Sequence, residues 1–295
     1  MKILLTGGSG FIGSRLAFLL HRHGHEVHVV TRAARAELSA ELHVADVMDA
    51  NAMRDIVAKV RPEVLVHLAW ITTPGVFWNS PENLRWLAAS SCLMKDAVEL
   101  GCSAIVAAGT CAEYVLDGRV SVEDETPTAN RTLYAATKNA LRMVGTSYAE
   151  STGSRFAWGR IFYPYGSGES SEKFLSLVVR ALERGAVFEV REPTRRIDYV
   201  HADDVAAAFA ALVESPAAAG TFNIASGRAE SLLGLAREVA EAMDVDASRV
   251  RAMPNPQEGP NIIGRIDRLG ALGWLPVRTL KTGLAELLST RGGMH

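Results

Sequence analysis

The sequence predicts a doubly wound α/β protein, on three observations. Short apolar runs alternate with amphipathic stretches, a glycine-rich turn follows the first apolar run at once, and most of the runs show no polar alternation. Strands are expected at Ile3–Leu5, Glu26–Val30, Leu42–Ala45, Val64–Leu68, Ala104–Ala108 and Arg155–Phe162. Helices are expected between them at Phe11–His23, Ala50–Lys59, Pro81–Leu100 and Leu133–Glu150. Apolar strands separated by helices imply parallel crossovers, and runs without alternation imply a sheet covered on both faces. After Gly166 the rhythm changes to a helix at Ser171–Arg184, a strand at Ala186–Val190, a helix at Asp203–Glu214, a strand at Thr221–Ile224 and a helix at Leu232–Met243. The expected organisation is a nucleotide-binding domain over residues 1–166, which also receives segments around 195–225. Residues 167–295 are then mainly a smaller, interleaved C-terminal substrate lobe.

With 295 residues the chain can bury a large core. Its 48% hydrophobic and 22% charged residues and net charge of −2 are those of an ordinary globular enzyme, which excludes nucleic acid or an anionic membrane as the expected partner. No long apolar stretch follows a charged leader, so neither a signal peptide nor a spanning helix is expected. Cys92, Cys102 and Cys111 lack CxxC spacing and histidine partners, and read as free thiols in a reducing compartment, the cytoplasm. Five of the eight histidines fall between His21 and His43, without the helical spacing of a metal pair; no metal is expected.

The turn Thr6-Gly7-Gly8-Ser9-Gly10-Phe11-Ile12-Gly13 lies between a strand and a helix, the context that gives a glycine pattern meaning. Gly7 permits a tight turn, Gly10 lets backbone N–H groups approach a diphosphate, and Gly13 lets the helix pack close to the strand, as in a Rossmann dinucleotide site. At the end of the second strand stands Thr31-Arg32. A base here can neutralise the 2′-phosphate of NADP where an acid would bind the ribose of NAD. Arg32, with Arg35, therefore favours NADP (NADPH) over NAD; the competing reading of Arg32 is a solvated loop arginine.

Tyr134 and Lys138 stand four apart in a helical stretch and so share a face. A free phenol titrates near pH ~10, and a neighbouring ammonium favours its ionised form. YxxxK alone is as well explained by a surface helix pair. Here it follows a strand ending in Gly109-Thr110, whose hydroxyl lies at the sheet edge where doubly wound folds bind ligands. A turn-capping role is the alternative for Thr110. His67 reads as a satisfied core residue, and His201 as fixing the start of a helix.

Together these segments resemble the extended short-chain dehydrogenase/reductase family, the nucleotide-sugar epimerase, dehydratase and reductase group. The resemblance rests on Thr6–Gly13, Asp46-Val47, His67-Leu68-Ala69, Thr110–Tyr114, Tyr134–Lys138, Arg160–Gly166, Asp198–Val205, Phe222–Gly227 and Leu272–Pro276. It implies Thr110, Tyr134 and Lys138 as the catalytic triad. It implies cofactor contacts from Gly7, Gly10, Phe11, Ile12, Gly13, Thr31, Arg32, Arg35, Asp46, Val47, Leu68, Ala69, Trp70 and Phe162, besides the tyrosine and lysine. Substrate contacts are expected at Thr73, Thr110, Cys111, Tyr163, Phe174, Arg195 and Arg196, and a homodimer through the two long helices. Three departures stand out. Trp86 or a neighbour occupies the place of a common asparagine, Trp70 that of a smaller residue, and Ile197 that of an arginine, with Arg195 and Arg196 just before it. Cys111-Ala112 replaces the Asp-Glu pair of the 4,6-dehydratases, which removes the acid and base for water elimination. The expected reaction is NADPH-dependent reduction of a keto group on a nucleotide sugar, for example at C4 of an NDP-4-keto-6-deoxyhexose. A 4-epimerase with tightly bound NAD is the alternative, and a non-catalytic dinucleotide-binding module the reading from another class.

Overall fold

The computed structural model describes residues 1–33 and 40–289. Strand and helix alternate through β1 (Lys2–Thr6), α1 (Gly13–Arg22), β2 (Glu26–Thr31), β3 (Glu41–Val44), α2 (Ala50–Val60), β4 (Val64–His67), α3 (Glu82–Glu99) and β5 (Ala104–Thr110). A 3-10 turn at Cys111–Glu113 and the short β6 (Val120–Ser121) lead to α4 (Leu133–Thr152) and β7 (Arg155–Ile161). Then come β8 (Tyr163–Tyr165), α5 (Phe174–Glu183), β9 (Phe188–Val190), β10 (Arg196–His201), α6 (Ala202–Glu214) and β11 (Gly220–Ile224). The chain continues through β12 (Ala229–Ser231), α7 (Leu232–Ala242), β13 (Val250–Ala252), β14 (Ile263–Gly264), α8 (Asp267–Gly270) and α9 (Leu280–Ser289).

Seven parallel strands form a Rossmann-like sheet in the order β3-β2-β1-β4-β5-β7-β11. The order reverses between β1 and β4, which is the switch point where such sheets open a ligand crevice at their C-terminal edge. In β1, Ile3 and Leu5 enter the core layer shared with Leu16, Leu20 and Phe209, while Leu4 enters the opposite layer with Met53, Leu65 and Trp158. Both faces are therefore buried, the physical reason the strand runs lack polar alternation.

The smaller lobe has its own core, built on Leu175, Val178, Val179, Leu235 and Val239, and a three-stranded sheet ordered β12-β10-β8. In the region around 195–225, α6 packs on α1 and β11 completes the large sheet, whereas β10 pairs with β8 and β12. The sequence reading missed β10 because Asp198 sits in its middle. That carboxylate is wholly buried, and it accepts hydrogen bonds from the backbone N–H groups of Ser226, Gly227 and Gly264 and from the Ser226 hydroxyl. Such donors make a buried acid tolerable in a strand. Among the described residues no helix is long and apolar enough to cross a membrane.

Candidate active site

The glycine turn is tight enough to exclude side chains. Gly7 has φ +75°, and a Cβ on it would lie 2.8 Å from the backbone nitrogen of Ala69. A Cβ on Gly13 would lie 2.1 Å from the Gly7 carbonyl oxygen, so α1 starts directly against the end of β1. Gly8 contributes as well, since its Cβ would strike Val29 at 2.6 Å. The start of α1 carries no side-chain cap and no acid in its first turn. Open N–H groups at a positive helix end, reached over bare glycine backbone, fit the diphosphate of a dinucleotide. Phe11 lies beneath two cations, with Arg15 5.0 Å and Lys173 4.9 Å from its ring centre. Ile12 is the capping position of α1.

Thr110 ends β5 and performs two tasks. Its hydroxyl accepts from the N–H of Ala112, closing a capping box with Glu113, and it lies near enough to the Tyr134 phenol to pull its pKa down. Thr132 caps α4 through the N–H of Ala135, which places Tyr134 in the first turn and Lys138 one turn later. Both are buried, at 9% and 3% exposure, so they are not a surface helix pair. The Lys138 ammonium donates to the Ala108 carbonyl at 2.9 Å. Burial drives its pKa down to about 7, against the attraction of Glu113. Burial also pushes the Tyr134 phenol above its usual range, while the nearby Thr110 hydroxyl works the other way.

Two groups of residues around this pair were not assigned roles by sequence reasoning. The segment between β4 and α3 places Phe77 and Trp78 edge-on against the Tyr134 ring, at centroid distances of 4.9 and 5.8 Å. A run of aromatics in an irregular segment was the available signal. Beneath Thr110, Glu113 is wholly buried; it receives Arg160 Nε at 2.7 Å, Trp158 Nε1 at 3.1 Å and the Thr110 N–H at 2.8 Å. No local pattern announces that cluster, because its members are 47 residues apart.

The other expected contacts divide into three sets. Thr31, Arg32, Asp46, Val47, Leu68 and Ala69 follow or end strands at the C-terminal edge of the sheet. Arg32 is exposed, and so is Asp46, whose carboxylate is engaged by the N–H of Met48. Val47 is core, and Ala69 touches the turn at Gly7. Arg35 lies outside the described residues. In a second set, Cys111, Phe162 and Tyr163 share one small apolar cluster, and Arg195 is near enough to influence the Tyr163 phenol. Arg195 itself bonds Glu192 at 2.8 Å and the Pro260 carbonyl at 3.0 Å. The third set holds the remaining residues. Thr73 is exposed in the loop after β4, Phe174 packs on Phe188 within the lobe, and Arg196 is exposed with its guanidinium on the Ala229 carbonyl.

Burial raises the Cys111 thiol to about 12, so it is no nucleophile at neutral pH. His67 bonds Thr6 and Ser90 through its two ring nitrogens, and burial lowers its pKa to about 3; it is a neutral core group. His201 caps α6 by accepting from the N–H of Asp203.

Residues 3–225 match the family model described as the NAD dependent epimerase/dehydratase family. The chain belongs to that family. This epimerase/dehydratase family member is 27% identical to dTDP-L-rhamnose 4-epimerase of Burkholderia thailandensis, over 97% of this chain and 93% of the relative. It is 30% identical to dTDP-4-dehydrorhamnose reductase of Streptomyces griseus, over 96% of this chain and 91% of the relative. UDP-N-acetylglucosamine 4-epimerase from Bacillus cereus shares the fold, with a TM-score of 0.85 at 20% identity over 99% of this chain and 100% of that one.

Proposed function

We propose that this protein reduces a keto group on a nucleotide-activated sugar with NADPH, as in 4-ketoreduction of an NDP-4-keto-6-deoxyhexose. The bound dinucleotide would supply the hydride, held at its diphosphate by Gly7, Gly10 and the start of α1. Thr110 hydrogen-bonds the carbonyl oxygen, and Tyr134 delivers the proton to the alkoxide as it forms. Lys138 would hold the nicotinamide ribose and supply positive charge beside the site. Burial keeps the phenol protonated, the state in which it donates to an alkoxide in either a reductase or an epimerase.

The observation that carries the choice of cofactor is Arg32. It follows β2 immediately, is exposed, and pairs with no acid among the described residues. The reductase relative in Streptomyces supports the same direction. The test is titration of wild type and Arg32→Ala with NADPH and NADH, followed by nicotinamide fluorescence. NADPH preference lost in the variant is expected, about tenfold in Kd for the loss of one charge-assisted contact of ~1.5 kcal/mol. Protein that purifies with NAD bound would instead favour a 4-epimerase, the second reading, which the Burkholderia relative supports.

The same proposal includes a homodimer through α3 and α4, in the cytoplasm. These helices pack together and expose Leu84, Met143 and Val144 by 55%, 62% and 51%. Light scattering at low concentration would overturn the dimer by returning a monomer mass.

A further inference from the structure

Lys138 is a buried cation whose nearest partners are a carbonyl and a ring. Its ammonium lies 3.8 Å from the centre of the Trp70 ring, well within the ~6 Å reach of a cation–π contact. Trp70 is held in place. Its indole N–H donates to Asn83 Oδ1 at 2.9 Å, and the Trp86 ring stands 5.9 Å away on the adjoining helix. Asn83 is wholly buried and donates its own amide to the carbonyls of Phe77 and Ser80, at 2.7 and 2.9 Å. One asparagine thus orients the indole against Lys138 and also ties down the segment whose Phe77 and Trp78 cover Tyr134.

We propose that Trp70 is a positioning residue for Lys138: Asn83 locks the indole, and the indole face holds the ammonium charged against the Ala108 carbonyl, beside Tyr134. The inference rests on reading Tyr134 and Lys138 as the proton-transfer pair. The electron-rich face of the ring favours the cation and opposes the burial that disfavours it. The other groups bearing on Lys138 leave this role open. Glu113, from the turn after β5, also favours the cation but is committed to Arg160 and Trp158. His67, on β4, stays neutral, and Tyr134 is a neutral phenol.

The chain has six lysines, at 2, 59, 95, 138, 173 and 281, so carbon-13 labelling at lysine Cε gives an NMR spectrum simple enough to assign with Lys138→Arg. In the wild type the Lys138 methylene should appear upfield of exposed Lys59 and Lys95, shifted by the indole ring current. Trp70→Leu keeps the site apolar but removes the ring. Its Lys138 titration midpoint should fall by about half a pH unit or more, with Trp70→Phe between it and wild type. The high-pH limb of kcat should move by the same amounts in the same order. An unshifted wild-type resonance, or a Trp70→Leu midpoint equal to wild type, would overturn the proposal. If Trp70→Leu does not fold, the wild-type resonance and the Trp70→Phe midpoint decide it. Shifted midpoints without turnover in any variant would support the Trp70–Lys138 contact and overturn the proton-transfer reading instead.

Discussion

Among the described residues two cations, Arg160 and Lys138, are buried, and they are treated in opposite ways. Arg160, on β7, is 1% exposed and meets the Glu113 carboxylate at 2.7 Å, with the Tyr114 ring 4.2 Å from its guanidinium. Burial disfavours its charge, but Glu113 and Tyr114 together more than reverse that, and its pKa is raised. Lys138, on α4, is 3% exposed and meets a carbonyl and, most closely, the Trp70 indole, with no carboxylate bonded to it, and its pKa falls to about 7. Trp158 stands between them, with its N–H on Glu113 and its ring 5.8 Å from the Lys138 ammonium. A buried cation paired with a carboxylate keeps a fixed charge and serves as framework. One left without a carboxylate titrates near neutrality, the property a proton-transfer site requires.

The sharpest way to break this contrast is at the proton donor. Tyr134→Phe should lower turnover by about 10²- to 10⁴-fold with the urea midpoint nearly unchanged; a variant with full turnover would remove the pair from the chemistry. On the framework side, Glu113→Ala strands Arg160 in the core and should cost about 3–5 kcal/mol in urea unfolding. Wild-type stability in that variant would show that the Glu113–Arg160 pair is not framework.

Lys138→Met should act in the opposite sense and stabilise the fold at pH 6. The folded chain loses the Lys138 proton near pH 7, whereas the unfolded chain keeps it to about pH 10.4, so wild-type stability rises with pH across that window. The gain from the substitution is therefore largest below pH 7 and fades toward pH 10. A gain independent of pH would mean that the lysine is not desolvated. The smallest effect is expected for Tyr114→Phe, which removes the hydrogen bond to Asn223 Oδ1 at 2.7 Å and should cost about 1–2 kcal/mol.

The two halves of this contrast were unequally legible in the sequence. Tyr134 and Lys138 are one helical turn apart, and the Thr110 hydroxyl closes an apolar strand, so spacing alone placed them together at a sheet edge. Arg160 and Glu113 were visible as residues of separate segments but not as a pair. Trp70 was noticed as large for its place, while its contact with Lys138, 68 positions away, left no trace in local pattern. Thr110 caps a turn, as its alternative reading held, and its hydroxyl also lies near enough to the Tyr134 phenol to lower its pKa.

The sequence by itself determined the strand and helix rhythm of the first domain, the glycine turn and the helical phase of Tyr134 and Lys138. Periodicity and backbone freedom are local properties, readable within a few turns of chain. Tertiary structure alone decided which strands β10 joins, that Glu113 is claimed by Arg160, and that Lys138 is left to an indole. Those outcomes depend on which side chains meet across the core, where one buried charge finds a carboxylate within 3 Å and the other does not.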